Sequence, residues 1–416
     1  MTSEQPTEAY VWIWLPGSTK PVVAGRLQAT ADIVDFNYGR SYLARDDAIA
    51  LYLPELPLQP GQIAPPSGLT MPGCIADAVP DAWGRRVIMR HMVGVGANAG
   101  DPADLNRLTY LLQAGSDRIG ALDFQSSPEK YSERELSSAP LQELMQAAQR
   151  VEEGLPFSPA LDEALLHGSS IGGARPKALL SYGDRRLIAK FSSTTDRYAV
   201  VKGEYAAMEL ARRVGLDAAR VQLEEVLGRD VLLIERFDRV PGTAQRRAIV
   251  SALTILQLDE MAARYASYEA LAHRVRERFT DAPSTLRELF ARLLFNILTG
   301  NNDDHARNHA AFWDGRALTL TPAYDICPQP RAGGETTQAM SITADGFRMS
   351  QVTACVSQAS TYLLSEVEAR EIVDHQIDVI ESQWNEVCDL ARMTELERAY
   401  FWQRQFLNPY AVQGYS

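Results

Sequence analysis

Residues 300–309 read Gly-Asn-Asn-Asp-Asp-His-Ala-Arg-Asn-His, and this polar run directly follows an apolar helical pattern. The pattern covers residues 285–299, where apolar side chains recur at intervals of three and four. Thr285 and Glu288 have capping-box spacing at its start, and Gly300 suits its end. A surface loop without special function would also be polar, so the surrounding segments must decide what the run does.

Asp303 and Asn308 within this run have the spacing D-x-x-x-x-N of a protein-kinase catalytic loop. A predicted strand, residues 317–322, then leads to Asp325 among apolar neighbours, where the metal-binding aspartate of that chemistry belongs. One carboxylate must reach the acceptor hydroxyl, while an amide and a second carboxylate hold Mg²⁺ on the ATP phosphates. The usual preceding His-Arg is absent, because two asparagines stand there.

Upstream, Lys190 lies in the apolar run 188–191, the second strand of a hairpin predicted around Gly183-Asp184. A phosphate-binding lysine would explain a charge there, and a surface lysine on an edge strand is the alternative. Glu204 opens the next predicted helix, which ends at Gly215. Glu204 could pair with Lys190 as in kinases, or could be a first-turn acid favoured by the helix dipole.

A glycine pair, Gly172-Gly173, precedes the hairpin and is followed by Arg175 and Lys177. Glycine lets backbone N–H groups approach phosphates closely, and the basic residues add positive charge. The segment matches neither G-x-G-x-x-G nor G-x-x-x-x-G-K-[ST], which disfavours a plain P-loop nucleotidase. An ordinary turn is the alternative.

Hydrophobic periodicity predicts a β-rich unit over residues 10–75 and a mostly helical region beyond about residue 245. A loop and a short helix are expected over residues 126–158, and a helix is expected after Pro80. The strands predicted in this β-rich unit are Tyr10–Leu15, Val22–Ala24 and Ile49–Leu53. Two further capping boxes are predicted in the helical region, at Ser365 to Glu368 and at Thr394 to Glu397.

Together these motifs resemble the HipA family of bacterial serine/threonine protein kinases, which act as toxins of toxin–antitoxin modules. The resemblance is carried by residues 75–86, 170–177, 188–191, 204–205, 234–239, 303–308 and 320–326. It implies an α+β, bilobal protein-kinase-like fold. A β-rich N-terminal subdomain would span residues 1–125, a mixed nucleotide-binding lobe residues 126–240, and a mostly helical lobe residues 241–416.

The resemblance also implies roles for the matched residues. Asp303 would be the catalytic base, and Asn308 and Asp325 would bind Mg²⁺. Lys190 would anchor the ATP phosphates, and His305 would orient the loop at the ATP site. The other residues expected at the ATP site are Glu235, Arg236 and Phe237, whose backbone would receive adenine, together with Gly172, Gly173, Lys177 and Glu204.

For regulation, the resemblance implies autophosphorylation of Ser170, with the adjacent Ser169 as the alternative. A phosphate there would repel ATP, since it adds a charge of about −1.5 to −2. The implied protein substrate is a translation component such as an aminoacyl-tRNA synthetase. The implied partner is a HipB-like helix-turn-helix antitoxin, through which alone the chain would contact DNA. Arg175-Pro176 departs from the Gln-Glu or Gln-Pro pair often found in the family.

Two other functions are compatible with parts of the sequence, and a third, a zinc protease, is disfavoured. A catalytically weak, pseudokinase-like co-regulator could act through a DNA-binding antitoxin, and a small-molecule phosphotransferase would share the ATP residues. His305 and His309 have H-x-x-x-H spacing, but the glutamate that a zinc protease needs after the first histidine is replaced by Ala306.

Composition limits the remaining possibilities. The 416-residue chain has 41 Lys and Arg against 53 Asp and Glu, and its net charge of −12 argues against autonomous nucleic-acid binding. No run of about 18 uncharged apolar residues is present, so we expect a cytoplasmic protein without membrane contact. The four cysteines form no CxxC pair and are expected to be free thiols.

Overall fold

A computed structural model describes residues 5–93, 105–134, 139–155, 165–166, 173, 175–193, 195–331 and 333–415. The chain forms two compact units. The first comprises residues 1–195, 224–250 and 313–316, and the second comprises residues 196–223, 251–312 and 317–416. The first unit is mixed α and β and the second is mostly helical, as the sequence predicts.

The first unit begins with a five-stranded antiparallel sheet of order β4-β3-β2-β1-β5. Alternation along β1 buries Ala9, Val11 and Ile13 on one face. The strands and the short helices among them are β1 (Glu8–Ile13), β2 (Val22–Thr30), β3 (Ile33–Tyr38), α1 (Arg40–Leu43), β4 (Gln62–Ile63), α2 (Gly73–Ala76), α3 (Ala82–Val93), α4 (Arg107–Gln113) and β5 (Leu122–Gln125).

The strand predicted over Ile49–Leu53 is wrong. Ala50, Leu51 and Tyr52 are buried, but they lie in turns without a strand partner. The Tyr38 hydroxyl donates to the carbonyl of Leu56 at 2.7 Å and accepts from the amide of Leu51 at 2.9 Å. An apolar run can therefore be buried through side-chain hydrogen bonds to its backbone, which period-2 patterning cannot distinguish from a strand.

A four-stranded sheet of order β6-β7-β9-β8 follows helix α5 (Leu141–Glu152). Its strands are β6 (Lys177–Tyr182), β7 (Arg185–Phe191), β8 (Val221–Val226) and β9 (Arg229–Glu235). Strands β6 and β7 form the predicted hairpin, with Tyr182 opposite Arg185 and Gly183 at a φ of 61°. One face of this sheet packs on α3 and α5 through a buried cluster that includes Trp83, Leu144, Ala189 and Leu233.

The second unit begins with helix α6 (Val200–Arg213), which ends at Gly215 as predicted. Glu204 does not open this helix, because the helix starts four residues earlier at Val200. Because Glu204 lies in the second turn, a favourable interaction with the helix dipole in the first turn does not explain an acid at this position. Glu204 is buried, with 3% of its surface exposed.

The remaining elements carry the chain to its last helices. They are β10 (Ala248–Ser251), α7 (Ala252–Ile255), α8 (Tyr268–Arg278), α9 (Ala282–Leu298), β11 (Ala310–Trp313), β12 (Leu318–Leu320), α10 (Val352–Val356), α11 (Glu366–Leu390) and α12 (Glu395–Phe401). The apolar stripe of α9 is fully buried, and both C-terminal capping boxes, at Ser365 and Thr394, are confirmed.

Helix α9 starts earlier than predicted. Asp281 is its N-cap and accepts from the amide of Ser284 at 3.2 Å, so Thr285 and Glu288 do not form the expected capping box. Aspartate with a proline in the first turn is a stronger start signal than the Thr-Glu pair.

All four cysteines are free and buried, as expected. Among the residues that the structure describes, no helix combines the length and apolar character needed to cross a lipid bilayer.

Candidate active site

The loop after α9 is held by hydrogen bonds along its backbone. The amide of Asn301 donates to the carbonyl of Asn296 at 2.8 Å, and the side chain of Gln338 donates to the carbonyl of Asn301 at 3.0 Å. The carbonyl of Asn302 accepts from the amide of Ala339 at 3.0 Å. These contacts fix the chain immediately before Asp303.

Asp304, the second acidic residue of the segment 300–309, holds the loop in place through buried contacts. It is 2% exposed, it accepts from the hydroxyl of buried Tyr268, and its Oδ1 lies 3.0 Å from Nε2 of His309. Burial, followed by the charge of Asp304, raises the pKa of Tyr268 well above its usual range. His309 is therefore engaged within the core of the unit. No local pattern in the sequence predicts this network, because Tyr268 lies 36 residues from Asp304.

Asp303, by contrast, is exposed. Loss of hydration around its carboxyl group raises the pKa of Asp303, the charges of Asp325 and Asp304 add to this rise, and His305 opposes it. The side-chain amide of Asn308 donates to the carbonyl of Asp303 at 3.4 Å. The structure thus gathers Asp303, Asn308 and Asp325 in one unit.

Asp325 reaches this position through a short stretch after β12. The amide of Ala323 donates to the carbonyl of Asp217 at 2.7 Å, and the amide of Ala219 donates to the carbonyl of Ala323 at 2.9 Å. The Tyr324 hydroxyl donates to the carbonyl of Arg307 at 2.6 Å, which ties the two loops together. Asp325 itself has a φ of 59°, a left-handed conformation that is uncommon for residues other than glycine.

These side chains fit a hard divalent cation. Asp303 and Asp325 repel each other electrostatically, and a cation would relieve this repulsion, while the Asn308 amide adds a neutral oxygen donor. In the described part of the chain, no group of three or more His, Cys, Asp or Glu side chains is arranged to hold a metal ion. The predicted ligand pair differs from such a group because it consists of one carboxylate, Asp325, and one amide, Asn308.

His305 is half-buried beside Asp303. Its Nδ1 is buried, and among the described residues it has no hydrogen-bond partner. Its effect on the pKa of Asp303 places its ring near the exposed carboxylate.

The first unit carries a pair of lysines on one sheet face. Lys177 of β6 lies directly opposite Lys190 of β7, and they are 4% and 9% exposed. Side chains of directly opposed residues share a face, and here that face is opposite to the apolar cluster containing Ala189. The strand register thus brings two positively charged side chains to one face of the sheet.

The end of the glycine segment is held by α3. The amide of Gly173 donates to the Asp81 carboxylate at 2.6 Å, and the carbonyl of Gly173 accepts from the amide of Trp83. Gly173 has a φ of 105°, and a Cβ there would collide with Nζ of Lys177. Gly172 and the two candidate phosphorylation sites, Ser169 and Ser170, lie outside the described residues.

The segment expected to receive adenine follows β9. Oε2 of Glu235 lies 3.9 Å from Nη1 of Arg185. Phe237 is half-buried. The amide of Arg236 donates to the carbonyl of Arg186 at 2.9 Å. The side chain of Arg236 is buried and donates to Asp238 at 2.9 Å, so it stabilises the unit internally. Lys190 and this segment belong to the first unit and Glu204 to the second. The pairing of Lys190 with Glu204 stays a prediction.

Family models match most of the sequence. One described as the HipA-like C-terminal domain matches residues 169–384, and one described as the HipA N-terminal domain matches residues 14–125.

Two curated proteins are similar over part of their length. The chain is 28% identical over 269 residues to "Putative kinase Y4mE" of Sinorhizobium fredii, covering 58% of this chain and 60% of that protein. It is 23% identical over 248 residues to "Serine/threonine-protein kinase toxin HipA" of Shewanella oneidensis, covering 53% of this chain and 56% of that protein. The matches therefore span little more than half the length of these relatives.

The fold matches a chain of a solved complex of Shewanella oneidensis HipA, HipB and operator DNA. The TM-score is 0.67 with 19% sequence identity, and the match covers 95% of both chains. The predicted fold class is thereby confirmed.

Proposed function

The chain belongs to the HipA family, and from this premise we propose that it is an ATP-dependent serine/threonine protein kinase. The observation that carries this proposal is the gathering of Asp303, Asn308 and Asp325 within one unit. The buried lysine pair of the other unit supplies the positive charge that a triphosphate needs.

Asp303 accepts the proton of the attacking serine or threonine hydroxyl. Its exposure lets a protein substrate reach it, and its raised pKa makes its carboxylate a better base than an ordinary aspartate. Asp304, held by Tyr268 and His309, keeps the loop that presents Asp303 in place. His305 orients the same loop.

Asp325 and Asn308 would hold Mg²⁺, which when bound neutralises charge on the ATP phosphates. Lys190 and Lys177 contact the phosphates, Gly172 and Gly173 allow the backbone to approach them, and Glu204 orients Lys190. The backbone at residues 235–237 receives adenine.

Regulation and partners follow the same proposal. Autophosphorylation at Ser170, or at Ser169, places negative charge beside the phosphates and stops ATP binding. A HipB-like helix-turn-helix antitoxin neutralises the kinase and carries its only contact with DNA, which suits the net charge of −12. The substrate is a cytoplasmic translation component such as an aminoacyl-tRNA synthetase.

Transfer of label from [γ-³²P]ATP with Mg²⁺ tests the proposal. Wild type should label itself or a protein substrate, and Asp303→Ala should lower the rate by about 10²–10⁴-fold because the general base is lost. Asp378→Ala, an exposed acid on α11, is the matched control and should retain the wild-type rate. Equal labelling by Asp303→Ala would refute the assignment. Wild-type ATP binding without any transfer would favour the pseudokinase-like co-regulator.

A further inference from the structure

A surface cavity lies in the second unit, between the segment after Asp325 and residues 403–410. Its volume is about 320 Å³, and its lining includes Arg331, Gly334, Arg404 and Tyr410. The lining contains two arginines and no acidic side chain. In a chain with a net charge of −12, this local excess of positive charge requires an explanation.

Arg331 is the unusual member of the lining. It is 4% exposed, and one terminal nitrogen, Nη2, donates to the carbonyl of Gly334. Its Nε and Nη1 are buried and have no hydrogen-bond partner within the described part of the chain, where Arg331 also forms no ion pair with a carboxylate. A buried guanidinium without a counter-charge is costly, and unmet donors of this kind commonly mark the place of an absent ligand.

Arg404 brings a second guanidinium to the same cavity. Its Nε donates to the carbonyl of Arg331 at 3.2 Å, and its guanidinium carbon lies 4.6 Å from the centre of the Tyr400 ring. Arg404 is exposed, so its remaining nitrogens can meet a ligand from solvent. Loss of hydration, followed by the charge of Glu335, raises the pKa of Tyr410, but Glu335 does not line the cavity.

We propose that this cavity binds a phosphate group, with the guanidinium of Arg331 as the main contact and Arg404 as the second. Guanidinium groups bind phosphate through charged N–H donors, and two donor nitrogens of Arg331, Nε and Nη1, have no hydrogen-bond partner among the described residues. The cavity is larger than one phosphate, so it also admits a residue that carries the group. This inference goes beyond the proposed kinase function and does not depend on it.

Calorimetric titration with inorganic phosphate, without nucleotide and at constant ionic strength, tests the inference. Wild type should bind one phosphate, and Arg331→Gln should weaken the affinity by roughly tenfold or more because charged hydrogen bonds are lost. Arg274→Gln is the control, since Arg274 lies on the same unit paired with Glu277 at 2.8 Å, and it should bind as wild type does. A phosphoserine peptide that binds more tightly than inorganic phosphate would identify a polypeptide as the source of the group.

Two measurements keep the test decisive if Arg331→Gln does not fold. Arg404→Gln changes an exposed residue and should weaken phosphate binding several-fold. The Nε–H resonance of Arg331 in the wild-type protein should shift on addition of phosphate. An Arg331 resonance that does not shift would overturn the inference. Phosphate binding that is lost in Lys190→Ala but kept in Arg331→Gln would also overturn it, while leaving the kinase proposal intact.

Discussion

Asp303 combines solvent exposure with a raised pKa, and this combination has a measurable consequence for stability. Loss of hydration around the carboxyl group of Asp303, together with the charges of Asp325 and Asp304, disfavours its ionised form, so the folded chain binds this proton more tightly than the unfolded chain does. The free energy of unfolding therefore falls as the pH rises and Asp303 loses its proton. The proposed catalytic base is therefore unfavourable for folding at neutral pH.

We predict that Asp303→Asn unfolds at a higher urea concentration than wild type at pH 7. The difference should disappear below a pH of about 3.9, where the wild-type carboxyl is protonated in both states. Asp378→Asn should show no such difference, because Asp378 is an exposed acid elsewhere on the unit. A midpoint for Asp303→Asn equal to or below that of wild type at pH 7 would contradict the clustering of negative charge around Asp303.

Helix α9 passes into the loop through Gly300, and this junction depends on glycine for two separate reasons. Gly300 has a φ of 69°, and a Cβ there would lie 2.8 Å from the carbonyl oxygen of Gln405. Gly215, at the end of α6, has a φ of 90° with no atom within 4 Å of a Cβ. A comparison of the two positions therefore distinguishes the cost of a left-handed backbone from the cost of a close contact.

We predict that Gly215→Ala lowers the free energy of unfolding by about 1–2 kcal/mol, the cost of a left-handed conformation. Gly300→Ala should lower it by more, because the backbone of Gln405 must also move. Urea unfolding of both variants provides the comparison. Equal losses in the free energy of unfolding for the two variants would show that the contact with Gln405 does not affect stability.

Elements with a strong local signal could be predicted from the sequence. The β6–β7 hairpin, the apolar stripe of α9, its end at Gly300 and the capping boxes at Ser365 and Thr394 all rest on residues close together in the chain. The failures come from tertiary contacts. The 49–53 segment is buried through hydrogen bonds to Tyr38, and the start of α9 depends on which of two capping signals is stronger.

The candidate site follows the same rule. Spacing sufficed to select Asp303, Asn308 and Asp325, which the structure gathers in one unit. It could not reveal that Asp304 is the buried anchor, since Tyr268 belongs to another helix. It also could not reveal that Lys177 lies opposite Lys190, because this pairing depends on strand register.

At the scale of the whole molecule, we propose that Lys190 and Asp325 contact the same bound MgATP. Lys190 lies on a sheet of the first unit, and Asp325 follows a strand of the second. If each group contacts the same bound MgATP, removal of one should change the effect of removing the other.

A double-mutant cycle on MgATP affinity, measured by calorimetry, tests this claim most directly. It compares wild type, Lys190→Ala, Asp325→Ala and the double variant, with Lys190→Ala combined with Asp378→Asn as the control pair. We predict that the loss in the double variant differs from the sum of the single losses by more than about 0.5 kcal/mol, whereas the control pair is additive. Additive losses for Lys190 and Asp325, or no MgATP binding by wild type, would contradict the account.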